Sequence, residues 1–93
     1  MSQDTSNRPD LAATRAKIDA KDEELAKILG ERGLLALDAK AAKADDEIVD
    51  PDREARVVEH LVATHDGPLS DDSIRRIARV IVEECRNLQI RDQ

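Results

Sequence analysis

The chain has 93 residues, no Phe, Tyr or Trp, one cysteine and a formal net charge of −6. That length makes one small domain, and its core must be built from Leu, Ile, Val and Ala, which suits packed helices better than a sheet. The acidic balance argues against a nucleic-acid surface and against an anionic membrane surface, and the lone Cys85 excludes an internal disulfide and fits a reducing compartment.

Residues 1–9 are polar and contain no apolar signal-peptide core, so they are expected to form a disordered tail. The domain proper is expected over 10–93. No run approaches transmembrane length, and the expected localisation is cytoplasmic. From Asp10 to about Ala44 the chain is dominated by Ala, Leu, Lys and Glu and has no Pro, a composition that predicts one long helix with Asp10 as its N-cap. Leu11, Ile18, Leu25, Ile28, Leu29, Leu35 and Ala39 recur at helical spacing and mark an apolar stripe. A helix of about 34 residues is roughly 50 Å long, far more than the compact diameter of so short a chain. Such a stripe needs a partner, and the simplest is a second copy of the chain. The helix is expected to fade after Lys43, with Ile48 and Val49 pinning the following loop to the core.

Asp50-Pro51-Asp52 is a helix start signal, with Asp50 as cap and Pro51 at the first helical position. The second helix carries Val57, Val58, Leu61 and Val62 and ends near Thr64 to Gly67, where His65-Asp66-Gly67-Pro68 forms a turn. Ser70 caps a third helix, whose expected stripe is Ile74, Ile77, Ile81, Cys85 and Leu88, helped by Val80. The fold class is therefore all-α, with one very long helix and two shorter ones.

Ten of the fifteen cations are Arg, the residue suited to bidentate contact with carboxylate or phosphate. Arg15, Arg32 and Lys43 lie in or near the apolar stripe of the first helix. Arg32 and Lys43 are eleven residues apart, so they share a face about 16 Å apart along the axis, close enough for both to touch one small ligand. Arg15 is roughly 25 Å from Arg32 along an ideal helix and could reach that ligand only from a partner subunit. Asp50, Arg53 and Glu54 open the second helix, where capping alone explains the acids. Cys85 and Gln89 stand one turn apart on the third helix. Taken singly, Cys85 reads as core and Gln89 as surface. His60 and His65 have no companions at metal-ligand spacing and read as surface residues, so no metal site is expected. No Gly-rich phosphate loop and no nucleophile–base motif occurs.

The ordered set Arg15-x-x-Ile18-Asp19-x-x-Asp22-x-x-Leu25-x-x-x-Leu29-x-Glu31-Arg32, Lys43, Asp50-x-x-Arg53-Glu54, Pro68-Leu69-Ser70 and Ile81 to Gln89 resembles the all-helical AroQ-type chorismate mutases over about residues 11–89. The resemblance implies an intertwined helical homodimer with two identical active sites, converting chorismate to prephenate in phenylalanine and tyrosine biosynthesis without cofactor or metal. By position, it implies that Arg15 reaches a substrate carboxylate in trans and that Arg32 holds one in cis. Lys43 and Gln89 would donate to the ether oxygen, and Glu54, with Asp50 beside it, would accept from the ring hydroxyl. Arg53 would orient that region, and Cys85 would contact a carboxylate. Two positions depart from the family pattern. Cys85 stands where the best-known members carry a hydroxyl, a stronger donor than a thiol. Ala78 stands where a bulkier residue is frequent, so a looser pocket or core is expected there. Two other readings remain at this point: a relative acting on 4-amino-4-deoxychorismate or isochorismate, and a non-catalytic helical dimerisation or regulatory module.

Overall fold

The computed structural model describes residues 8, 10–43 and 49–91. All elements among them are helices: α1 (Leu11–Ala42), α2 (Pro51–Thr64) and α3 (Asp71–Arg91). The tail expected over residues 1–9 falls outside the described residues apart from Arg8, as does the expected fading of α1 over 44–47. None of these helices is long and apolar enough to cross a membrane.

Each helix starts on the cap its sequence supplies. The Ala12 amide donates to Asp10 Oδ1 at 3.0 Å, the Arg53 amide to Asp50 Oδ1 at 3.0 Å, and the Ser73 amide to Ser70 Oγ at 3.0 Å. Each contact satisfies one of the donors that a helix start leaves open. α1 closes through Lys43 N–H donating to the Lys40 carbonyl, a tighter i→i+3 turn. α2 closes where the His65 amide donates to Leu61 O, and Gly67, at φ +118°, makes the reversal that residues with a Cβ rarely adopt.

The chain divides into two compact units, Met1–Gly30 and Glu31–Gln93. In the first, α1 presents Leu11, Ile18, Leu25, Ile28 and Leu29 to solvent. The apolar stripe read from the sequence is thus present and uncovered within one chain, and no residue of α1 is buried. Lys21 and Glu24 pair at 3.1 Å on its surface.

The second unit holds the core. Val58 of α2 packs with Ala78 and Val82 of α3, flanked by Val57 and Leu61. Ala78 is the most enclosed of these, 1% exposed. The expected α3 stripe is therefore displaced. The residues that turn fully inward are Ala78, Val82 and Gln89, while Ile77 and Val80 are exposed. The small Ala78 side chain lets α3 lie close to α2, so the contact face follows proximity rather than side-chain size. Val49 is also exposed, so it does not pin the loop as expected, and Ile48 lies outside the described residues. His65 is not the surface residue expected. It is largely covered, with Nε2 donating to Asp71 Oδ1 at 2.8 Å across the α2–α3 turn.

Arg75 locks the two helices from outside. Its Nε and Nη2 donate to the two Glu59 oxygens at 2.8 and 3.1 Å, and its Nη1 to Asp72 Oδ1 at 2.9 Å. The hydrogen bond from Arg75 is the main force holding the Glu59 carboxyl below its ordinary value of 4.5. A carboxyl depressed in the folded state stabilises the fold above its unfolded pKa and loses that contribution as pH falls through the folded value. Thermal unfolding followed by circular dichroism from about pH 7 to about pH 3 should therefore show a falling midpoint below the carboxylate range, with a shallower fall in Glu59→Gln. Identical acid limbs in the two proteins would remove Glu59 from the acid sensitivity.

Candidate active site

A cavity of about 320 Å³ lies within the second unit, between the last turns of α1, the start of α2 and the C-terminal half of α3. That volume lies at the small-ligand end of the usual range for binding pockets. α1 contributes Arg32, Leu35, Ala36 and Ala39, and Lys43 follows just past its end. From α2 come Asp50, Arg53, Glu54 and Val57, and from α3 Val82, Cys85, Arg86 and Gln89. Seven of the eight residues singled out by sequence therefore meet around one hollow: Arg32, Lys43, Asp50, Arg53, Glu54, Cys85 and Gln89. The eighth, Arg15, is an exposed residue of α1 in the unit ending at Gly30 and is not among the lining residues.

Helical periodicity explains the grouping. Arg32, Leu35, Ala36 and Ala39 stand at i, i+3, i+4 and i+7, so they share a face of α1, and Lys43 follows four residues on. Val82, Cys85, Arg86 and Gln89 do the same on α3. On α2 the Asp50 cap fixes the first turn. Its Oδ1 accepts from the Arg53 amide and its carbonyl from the Glu54 amide, so one residue sets where both neighbouring side chains leave the backbone. Asp50 thus has a structural duty as well as a place on the wall.

Gln89 is not a surface residue. It is 7% exposed, and its Nε2 donates to the Ala36 carbonyl at 2.7 Å. A side-chain amide has two N–H donors. With one held by Ala36, a second N–H remains as a donor on this amide. Close approach of α1 and α3 makes this reach possible: a Cβ placed on Gly33 would stand 3.4 Å from Leu88 Cδ2, in ordinary contact. Cys85, read as core, is half-buried and lines the cavity with a free thiol. Ala78 belongs to the α2–α3 core and not to the cavity lining, so the departure at that position concerns helix packing rather than the pocket.

Sequence reading overlooked Arg86. Its Nη1 lies 3.4 Å from Glu54 Oε1, with both side chains about one-quarter exposed. Its steps of four from Val82 and three to Gln89 place it on the pocket face of α3, a signal the sequence did contain. The walls therefore carry four cations, Arg32, Lys43, Arg53 and Arg86, against two carboxylates, Asp50 and Glu54. The excess of positive charge on these walls suits an anion, and a doubly charged one would balance it.

The Asp50 cap can be separated from any part Asp50 plays at the cavity. Asp50→Asn keeps an oxygen at the cap and should leave the urea midpoint nearly unchanged, whereas Asp50→Ala should cost about 1 kcal/mol of stability. Equal loss in both variants would show that the negative charge, not the cap, stabilises α2.

The family model for chorismate mutase type II matches residues 14–90. The chain is similar to the bifunctional chorismate mutase/prephenate dehydratase of Pseudomonas aeruginosa, 31% identical over 86 residues, covering 85% of this chain and 24% of that protein. It is also similar to the protein of the same description from Neisseria gonorrhoeae, 32% identical over 75 residues, covering 81% of this chain and 21% of that protein. The chain spans about a quarter of the length of these curated relatives. No solved structure matches it significantly.

Proposed function

The chain belongs to the chorismate mutase type II family of enzymes, and on that premise we propose that it rearranges chorismate to prephenate in aromatic amino acid biosynthesis, at the cavity shared by α1, α2 and α3. The observation that carries the reading is the net double positive charge around a small cavity. Chorismate has two carboxylates, and Arg forks are the best match to them.

The reaction is a Claisen rearrangement. One carbon–oxygen ether bond breaks, one carbon–carbon bond forms, and no atom enters or leaves. The protein therefore needs neither a nucleophile nor a proton carrier. It has to hold the flexible dianion in a compact chair-like shape and to stabilise the negative charge that grows on the ether oxygen. In this reading Arg32 holds a carboxylate and Arg53 orients the hydroxyl and carboxylate region. Lys43 and the free N–H of Gln89 converge on the ether oxygen, with Lys43 also touching a carboxylate. Glu54, beside Asp50, accepts from the ring hydroxyl. Cys85 offers a weak donor to a carboxylate. Fixed donors suit this chemistry, because a group already in place costs no reorganisation when the charge develops.

The proposal includes a homodimer. The exposed apolar positions of α1, from Leu11 to Leu29, support it, because a row of this length is rarely left to water in a monomer. In an intertwined pair the partner's α1 would cover that row, and Arg15 would serve the other subunit's cavity in trans. A second reading keeps the fold and changes the ring substituent. The two carboxylates, Asp50 and Glu54, on the wall could accept from the ammonium of 4-amino-4-deoxychorismate as well as from a hydroxyl.

Chorismate absorbance should decay in the presence of the purified protein, with prephenate as the product. The chain has no aromatic residues to obscure that signal. Lys43→Ala and Arg32→Ala should each lower kcat/KM by about 10²–10³-fold with helicity retained, as expected for removing one preorganised donor. Unchanged turnover in a variant would remove that residue from the mechanism. Dimerisation is tested by mixing. Arg15→Ala and Lys43→Ala, each inactive alone, should regain about a quarter of wild-type activity after equal mixing and subunit exchange, because half the dimers then hold one intact site. No recovery, with exchange demonstrated, would overturn the action of Arg15 in trans.

A further inference from the structure

Arg86 has no part in the mechanism above, yet its pair with Glu54 occupies the wall where the ring substituent would lie. Glu54 Oε1 faces Arg86 Nη1 at 3.4 Å. The same two residues, with Val82, also wall a second hollow on the other side of the pair, one edged by Glu59, Arg79 and Glu83. The pair therefore stands as a charged partition between two cavities, about one-quarter exposed on each side chain.

We propose that Arg86 is a specificity-determining residue, which by neutralising Glu54 selects a neutral hydroxyl over an ammonium at the ring position that Glu54 serves. The proposal rests on reading the cavity as a chorismate site. A lone carboxylate facing a ligand prefers a cation, since an ammonium gives it both a hydrogen bond and an ion pair. A carboxylate already paired with a guanidinium has its charge compensated. Its second oxygen, Oε2, still accepts from a hydroxyl. An ammonium brought to the same point would face Arg86 across the carboxylate and be repelled by it. Specificity built this way includes a repulsive element against the competing ligand, not only attraction for the preferred one. The pair also lowers the cost of keeping Glu54 on the wall of a cavity that receives a dianion, because the repulsion between Glu54 and the ligand carboxylates is offset locally.

Two other ways of reading Arg86 make different demands. If it gripped a substrate carboxylate directly, hydroxyl and amino ligands would lose affinity equally on its removal. If it merely braced α2 against α3, stability would fall and the ratio of the two affinities would not move.

The test uses two non-reacting saturated-ring analogues of the dianion, alike except for a hydroxyl or an amine at the ring carbon. Their affinities for the full chain are measured by titration calorimetry in the wild type, Arg86→Met and Arg86→Lys. The wild type should prefer the hydroxyl compound. Arg86→Met should shift the ratio about tenfold toward the amine, and Arg86→Lys, which keeps the charge, should recover most of the preference. In a Glu54→Gln background, Arg86→Met should still shift the ratio toward the amine but by less, because only the direct repulsion between Arg86 and the ammonium is then relieved. That pair of variants also serves if Arg86→Met alone folds poorly. An unchanged ratio, or an equal loss of both affinities, overturns the proposal. Failure of the wild type to consume chorismate would overturn the function proposed above, while the affinity ratio still reads Arg86 independently.

Discussion

The hydrogen bond from Gln89 Nε2 to the Ala36 carbonyl, 2.7 Å long, ties the third helix to the first. A buried amide without an acceptor is expensive, so this bond fixes where the end of α3 lies against α1. Its consequence is the cavity itself. α2 and α3 are already paired by the Val58, Ala78 and Val82 core and by the Arg75–Glu59 fork. Joining the last turns of α1 to that pair encloses a space and brings Arg32 and Lys43 into line with Arg53 and Glu54. The bond engages one of the two N–H donors of the Gln89 amide and leaves the other. A structural contact and a proposed catalytic contact thus share a single amide.

The site is built on helix starts and helix faces, not on loops. Arg53 and Glu54 sit in the first turn of α2, where the Asp50 cap holds the backbone. Cys85, Arg86 and Gln89 follow from the register of α3, and Arg32 from that of α1. Arg32, Arg53 and Arg86 are therefore anchored at their Cα atoms by helices, which limits the freedom lost when a ligand is gripped. For the proposed rearrangement, which would proceed through charge placement alone, that rigidity is the useful property.

The core that supports this arrangement is small. Among the described residues three apolar side chains are buried, all between α2 and α3, while the apolar row of α1 is exposed. A chain of this length has little surface to bury by itself. The economy of the fold and the proposed sharing of Arg15 between subunits have the same origin: α1 is too long to be used up by one copy of the chain.

The residues of this protein settle much by themselves. Helix starts at Asp10, Asp50 and Ser70, the turn at His65 to Pro68, and the long run of helix formers are local properties, governed by capping, proline geometry and propensity. The set of site residues was legible only through the family resemblance that their order along the chain carries. Tertiary structure decided the rest. Which face of α3 turns inward depended on how closely α2 could approach, and the small Ala78 settled that in favour of a stripe that side-chain size alone would not select. Gln89 changed from an apparent surface residue to a buried one because its acceptor is 53 positions away in the chain. Arg86 acquired its role from a carboxylate 32 positions away. Short-range preferences place residues on helix faces, but only packing decides which faces meet, since contacts between distant residues have no signature in any local stretch of sequence.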